Sequence, residues 1–177
     1  MKNITTKNLV LGGLFIAMGI VLPFLTAQNQ QLGNMFLPMH LPILISGFVC
    51  GWPVGLAVGI ITPLLRSVMF GMPPFLPIAV SMAFELGAFG FITGILYSKM
   101  PKKIVNIYII LVIAILAGRV VSAIANLALL GFGLRDSYNL QIFLAGSFIN
   151  AWPGIILQIV LIPVLIRALQ KSRLMES

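Results

Sequence analysis

Acidic residues are almost missing from this chain. Its 177 residues include three Asp or Glu against eleven Lys or Arg, and all charged residues together make up 8% of the total. A soluble globular domain carries about 25% charged residues. Since 60% of the residues are hydrophobic, a single soluble core cannot hide them, and the composition excludes an ordinary soluble domain.

The residues of most catalytic and nucleotide-binding sites are also lacking. One histidine and one cysteine exclude a His/Cys metal cluster and any disulfide within a monomer. We expect Cys50 to be a small packing residue. No Gly-x-Ser-x-Gly motif, paired acids or phosphate-binding glycine loop is present. We therefore expect no catalytic residue, no enzyme activity, no metal, no cofactor and no ATP hydrolysis by this chain alone.

Long apolar runs are abundant instead. They are long enough to cross a bilayer as helices, whereas barrel strands would need only ~9–11 residues with strict alternation. The six runs cover residues 8–26, 38–52, 53–70, 75–98, 104–130 and 141–169. We predict an all-α integral membrane protein, a compact bundle of six transmembrane helices that forms a single domain over residues 1–177.

Basic residues mark one side of the predicted membrane. With a cytoplasmic N-terminus and alternating spans, the positive-inside rule is satisfied. The inward-facing cations are Lys2, Lys7, Lys99, Lys102, Lys103, Arg167, Lys171 and Arg173. Only Arg135 faces outward, beside Asp136. We predict a multi-pass protein of the cell membrane with both termini in the cytoplasm. This distribution explains the net charge of +8, so we expect no nucleic acid partner.

Two segments have an unusual pattern. Residues 26–37 form the longest and most polar external connection, with Gln28, Asn29, Gln30, Gln31 and Asn34 but no charge. This connection is either a lid over the outer mouth or a plain connector. The sixth run contains Pro153, Gly154 and Pro163, so we expect that span to be kinked.

Six polar residues fall toward the outer half of the predicted spans. At ~1.5 Å per residue, Arg66 lies roughly 20 Å above the inner end of its helix. The six are His40, Arg66, Glu85, Arg119, Asn126 and Asn150. We predict that they converge on a substrate pocket, with Trp152 beside Asn150 as an aromatic wall. We expect His40 to be a hydrogen-bonding residue at the rim of the pocket. His40 and Glu85 lie on different predicted helices, and nothing in the sequence indicates that they are in contact.

The buried charges need partners. An arginine at the centre of a membrane helix costs ~2.5–3.5 kcal/mol on insertion scales. Glu85 can pair with Arg66 or with Arg119, and the sequence leaves this choice open. Either pairing leaves one arginine over, and the carboxylate of a ligand would neutralise it through bidentate hydrogen bonds.

The first span carries a small-residue motif. Gly13 and Ala17 lie four residues apart and therefore on one helical face. Such a face lets another helix approach closely, so we predict that these two residues dock a partner protein.

The chain resembles the substrate-binding (S) component of an energy-coupling factor (ECF) vitamin transporter. Its size, six spans, small-residue first helix and polar outer half are similar to that family. The most specific match lies within residues 38–97, at residues 40–51 (HLPILISGFVCG), 62–67 (TPLLRS), 70–74 (FGMPP) and 82–86 (MAFEL). The family usually has Ala-x-x-x-Ala in its first helix, and Gly13 here replaces the first alanine.

The resemblance implies a mechanism and partners. An S component binds a vitamin from the outside and docks on a transmembrane coupling protein that sits on two ATPase subunits. ATP hydrolysis then makes the S component topple in the membrane lipid and release its ligand inward. The local motif is similar to the branch associated with pantothenate, whose carboxylate would suit Arg66 or Arg119. Cobalamin or another vitamin is the alternative substrate. A membrane enzyme acting on a lipid head group through Glu85 and His40, or an assembly subunit, is the alternative function.

Overall fold

Helices make up almost all of the computed structural model, which describes residues 5–26 and 30–172. No strand occurs within these ranges. The predictions above also drew on groups that lie outside the described part: Lys2, Gln28, Asn29, Arg173 and the side chain of Gln30. The helices are α1 (Thr6–Val21), α2 (Gln30–Phe36), α3 (His40–Cys50), α4 (Trp52–Phe70), α5 (Val80–Lys99), α6 (Ile104–Gly131), α7 (Leu140–Leu144) and α8 (Trp152–Lys171).

Three short helical segments extend these helices. Leu22–Thr26 continues α1 as a 3-10 helix, and Phe75–Ala79 leads into α5 as a π-helix. A second π-helix, Ala145–Ile149, follows α7. Six helical stretches are long and apolar enough to span a membrane, which confirms the predicted all-α membrane fold.

The second span begins earlier than we predicted. Residues 30–36 of the predicted polar connection form α2, and the apolar stretch runs over Gln31–Cys50. Helix α2 packs on α8, where the backbone of Met35 and Phe36 lies so close to Gly154 that a Cβ there would collide with it. This tertiary contact stabilises a helix whose polar sequence favoured a loop, so the predicted start of the span at residue 38 was wrong.

The last span is broken, not kinked. We predicted one helix over residues 141–169, but the chain turns at Asn150 and Ala151 between the π-helix and α8. Pro153 contributes to the break, because proline has no N–H to donate to the carbonyl four residues earlier and its ring crowds that carbonyl. Pro153 therefore occupies the first turn of α8, where its missing donor costs nothing. Pro163 remains inside α8.

Helix α3 lies at the centre of the bundle, and glycines let its neighbours pack closely. Ile43 and Leu44 are fully buried. Between the antiparallel helices α4 and α5, Gly55 lies against the carbonyl of Gly90 and Gly59 against the carbonyl of Leu86. Small residues allow this close backbone approach in membrane helices. The tight α4–α5 contact fixes the helices that carry Arg66 and Glu85.

A glycine turn aligns α3 with α4. Gly51 joins α3 to α4 with a φ of 85°, in the left-handed region that favours glycine. The turn makes α3 and α4 antiparallel, so the start of α3 and the end of α4 lie at the same end of the bundle. His40 and Arg66 therefore lie beside the same cavity, which is described below.

Candidate ligand-binding site

Arg119 and Glu85 form a buried ion pair between α6 and α5. The Arg119 Nη1 atom donates to Glu85 Oε1 at 2.5 Å, and both residues are about 95% buried, with 6% and 5% of their surface exposed. Charge-assisted hydrogen bonds of this kind are about twice as strong as neutral ones. The structure thus resolves the alternative that the sequence left open: Glu85 pairs with Arg119 and not with Arg66.

His40 lies beside this ion pair. Its Nε2 atom is 3.7 Å from Glu85 Oε1, which is too long for a hydrogen bond. Its ring also packs against Phe89, with the two centroids 5.5 Å apart. We expected a hydrogen-bonding residue at the rim without contact to Glu85, and this was wrong. His40 is 97% buried, and neither ring nitrogen has a hydrogen-bond partner among the described residues.

Arg66 is the buried arginine that does not pair with Glu85. It is 3% exposed, and its Nη1 atom donates to the backbone carbonyl of Ile20 at 2.5 Å. The guanidinium carbon lies 5.1 Å from the ring centre of Phe24 and 5.8 Å from that of Phe70. In the described part of the chain no carboxylate pairs with Arg66. Among the described residues, one carbonyl and two aromatic rings surround its positive charge.

Asn126 connects the loop after α6 to the helix that carries Arg119. Its Nδ2 atom donates to the Ser122 carbonyl at 2.8 Å, and its Oδ1 atom accepts a short hydrogen bond from Arg135 Nη1. The Arg135 guanidinium also stacks on Tyr138 at 4.8 Å. Partial burial raises the pKa of the Tyr138 hydroxyl.

Sequence reasoning missed Arg135 and Tyr138 as members of this polar group. Arg135 was treated as a loop charge, yet it reaches back to a side chain that is 6% exposed. One signal was present in the sequence. Arg135 was the only cation on the outer side, and an exception to the positive-inside pattern needs a local reason.

Asn150 and Trp152 do not join the other predicted residues. Asn150 lies in the break before α8 and is exposed, and 60% of the Trp152 surface is accessible. The break at residues 150–151 separates them from the buried polar groups. The predicted aromatic wall is therefore not formed by Trp152 in this structure.

A cavity of about 110 Å³ opens next to His40 and Arg66. Its polar lining consists of these two residues with Thr26 and Asn34, and the rest of the wall is apolar. Helix α2 contributes Gly33 and Asn34 to one side. Convergence of a few polar groups in an apolar concavity is typical of small-molecule sites, so this cavity is the candidate binding site.

The small residues of α1 divide between two faces. Gly12 and Gly19 are buried against Val54 and Thr62 of α4. Gly13 and Ala17 are exposed, and a Cβ added at Gly13 would meet nothing within 4 Å. The predicted docking residues thus lie on a face that no other described part of the chain covers.

Comparison with known proteins identifies the family. No protein of curated function and no solved structure matches the chain significantly. A family model described as ECF transporter, substrate-specific component, matches residues 7–166. Because this match covers most of the six-helix bundle with its buried arginines, the chain belongs to the substrate-specific components of ECF transporters, and it is a transporter subunit and not an enzyme.

Proposed function

We propose that this subunit captures a small vitamin with a carboxylate group, most specifically pantothenate, from the outer side of the cell membrane. The observation that carries this proposal is the buried charge of Arg66 on the wall of the cavity. No acidic side chain within the described residues neutralises that charge. An anionic ligand is the remaining way to compensate it inside the protein.

The chemistry of Arg66 favours a carboxylate. A guanidinium has five N–H donors in a planar fork that matches the two oxygens of a carboxylate. Among the described residues Arg66 makes one hydrogen bond, from its Nη1 atom to the Ile20 carbonyl. The remaining donors are sufficient for a bidentate contact with a ligand. The Arg119 guanidinium is less suitable because Glu85 already neutralises its charge.

The other polar groups suit a ligand with hydroxyl and amide groups. His40 lines the cavity with two unpartnered ring nitrogens, and Asn34 and Thr26 add further donors and acceptors. We assign Glu85, Arg119 and Asn126 to a deeper polar layer behind His40. In this layer the buried Arg119 Nε atom has no hydrogen-bond partner in the part of the chain that the structure describes. Pantothenate carries a carboxylate, an amide and two hydroxyls, which could form hydrogen bonds with the polar residues of the cavity wall and of the deeper layer.

The cavity is small in this structure and would have to widen to admit a vitamin. A cavity of ~150 Å³ holds a molecule as small as benzene, and the space here is about 110 Å³. Pantothenate, which is larger than benzene, would enter only after an outward movement of the segment 26–37, which we propose is a lid. The corrin ring of cobalamin, the alternative substrate, would require a far wider opening.

Import requires partners that this chain does not contain. We propose that Gly13 and Ala17 dock α1 on the transmembrane coupling protein, which two ATPase subunits drive, and that the subunit topples to release its ligand inward. The exposed position of both residues supports this role. The cytoplasmic position of both termini is part of the same proposal.

The substrate is tested with the purified protein in detergent. Any co-purified small molecule is released by denaturation and identified by mass spectrometry, and pantothenate and cobalamin are then titrated into the protein by calorimetry. We expect one pantothenate per chain and no heat from cobalamin. Absence of pantothenate binding, or binding of cobalamin alone, would contradict the substrate assignment.

The docking face is tested by Gly13→Leu in the complete transporter. The added side chain has open space around it, so we expect unchanged ligand binding and lost uptake of radiolabelled substrate. Gly131→Leu, at another glycine with no neighbour within 4 Å, is the matched control and should retain uptake. Full uptake by Gly13→Leu would rule out docking at this face.

A further inference from the structure

The supports of Arg66 come largely from another helix. Arg66 lies on α4, but the carbonyl that accepts its hydrogen bond belongs to Ile20 near the end of α1. The nearer of its two aromatic neighbours, Phe24, belongs to the 3-10 extension of the same helix. Two of the three groups around the guanidinium therefore move with the outer end of α1.

The aromatic contacts have the geometry of cation–π interactions. Both ring centres lie within the ~6 Å limit for such contacts, at 5.1 Å for Phe24 and 5.8 Å for Phe70. The two rings also pack edge to face, with centroids 5.1 Å apart and an interplanar angle of 84°. Phe24 thus touches both the guanidinium and the second ring that supports it.

We infer that Phe24 is a positioning residue, which holds the Arg66 guanidinium in the pose that recognises an anionic ligand group. This inference rests on the proposed function, since it assumes that the cavity beside Arg66 receives an anion. An arginine side chain has many rotamers, and ordering it on binding lowers affinity by up to about tenfold. Because Phe24 and Ile20 already order Arg66 in the free protein, the ligand avoids most of this loss.

The same arrangement connects the anion contact to the docking helix. Gly13 and Ala17 lie on α1, two turns or less before Ile20. A shift of α1 relative to α4 would withdraw the Ile20 carbonyl and the Phe24 ring from Arg66 together. Displacement of α1 would therefore lower the affinity for an anionic ligand. In this way docking of α1 on a partner would be linked to release of the ligand.

The test compares Phe24→Leu with Phe75→Leu in the full-length protein in detergent. Phe75 is a suitable control, because it is about as exposed as Phe24, at 49% against 40%, and does not line the cavity. The dissociation constants of pantothenate and of pantothenol, its neutral alcohol analogue, are measured by calorimetry. In Phe24→Leu we expect the preference for pantothenate over pantothenol to fall about tenfold. In Phe75→Leu we expect no change.

A second measurement is independent of the ligand. Thermal unfolding of the free protein is recorded for Phe24→Leu, Arg66→Ala and the double variant. If Phe24 positions Arg66, the loss in Tm of the double variant is smaller than the sum of the single losses, because both changes remove the same contact. Additive losses would overturn the inference.

The two measurements separate this inference from the proposed substrate. If the wild type binds no pantothenate, the substrate assignment fails and the unfolding cycle alone decides the role of Phe24. If pantothenate binds and Phe24→Leu keeps the wild-type preference, the substrate assignment stands and the positioning role is refuted.

Discussion

Arg66 and Arg119 are equally buried, but their surroundings differ. Arg119 donates to the only buried carboxylate in the described part of the chain, whereas Arg66 meets one carbonyl and two aromatic rings. The first arginine completes an internal ion pair between two helices. The second lines the cavity with its charge uncompensated. The comparison teaches that burial of a charge does not by itself indicate a ligand site; the missing counter-charge does.

The largest expected effect concerns stability. Arg119→Ala leaves Glu85 buried without its partner, and breaking a buried ion pair costs about 3–5 kcal/mol. Arg66→Ala breaks no ion pair, so we expect it to lower the free energy of unfolding less, by about 1.5–3 kcal/mol for one charge-assisted hydrogen bond. Denaturant unfolding of the two variants in detergent measures the difference.

A double variant serves as the control for that measurement. Glu85→Ala with Arg119→Ala removes both charges, so its loss should be smaller than the sum of the two single losses. Equal stability of Arg119→Ala and Arg66→Ala would mean that the ion pair has no structural role, and the distinction between the two arginines would fail.

The next effect concerns affinity and depends on the shape of the cation. Arg66→Lys keeps the positive charge but loses the planar fork and its stacking on Phe24 and Phe70. We expect pantothenate to bind about tenfold more weakly, with little change in Tm. Calorimetric titration checks this. An unchanged dissociation constant would indicate that only charge matters at this position.

A smaller effect is expected at Asn126. Its Oδ1 atom accepts from Arg135, and its Nδ2 atom donates to Ser122. Asn126→Ala removes both bonds, and we expect a loss of about 1–3 kcal/mol in the free energy of unfolding because buried partners are left unsatisfied. Ser122→Ala, which leaves the Ser122 carbonyl in place, is the milder comparison. A larger loss in Ser122→Ala would disprove this ranking.

The smallest effect is expected at Trp152. Since most of its surface is accessible and it does not line the cavity, Trp152→Ala should change the dissociation constant of pantothenate by less than about twofold, as is usual for surface positions. A tenfold loss of affinity would show that the Trp152 ring reaches the ligand in the bound state.

Much of the fold follows from the apolar runs. A run of 18 or more apolar residues has few alternatives to a membrane helix, and the span from residue 104 ends within one residue of its prediction. The errors occurred where tertiary contacts or backbone chemistry decided the outcome. Residues 30–36 are helical because they pack on Gly154, and the sixth span breaks before Pro153.

The site was predictable in its residue types and less so in its pairing. Depth along each helix indicated that His40, Arg66, Glu85 and Arg119 share one half of the bundle. It carried no information on helix rotation, which decides whether Glu85 meets Arg119 or Arg66. Two glycine pairs at four-residue spacing, Gly55 with Gly59 and Gly90 with Gly94, would have indicated that α4 and α5 pack closely.

The central claim is that Arg66 holds the anionic group of the substrate. Calorimetric titration of pantothenate into the wild type and Arg66→Ala tests it most directly, with thermal unfolding to verify that the variant is folded. The account predicts tight one-to-one binding to the wild type and at least about tenfold weaker binding to a folded Arg66→Ala. Wild-type affinity in folded Arg66→Ala would contradict the claim.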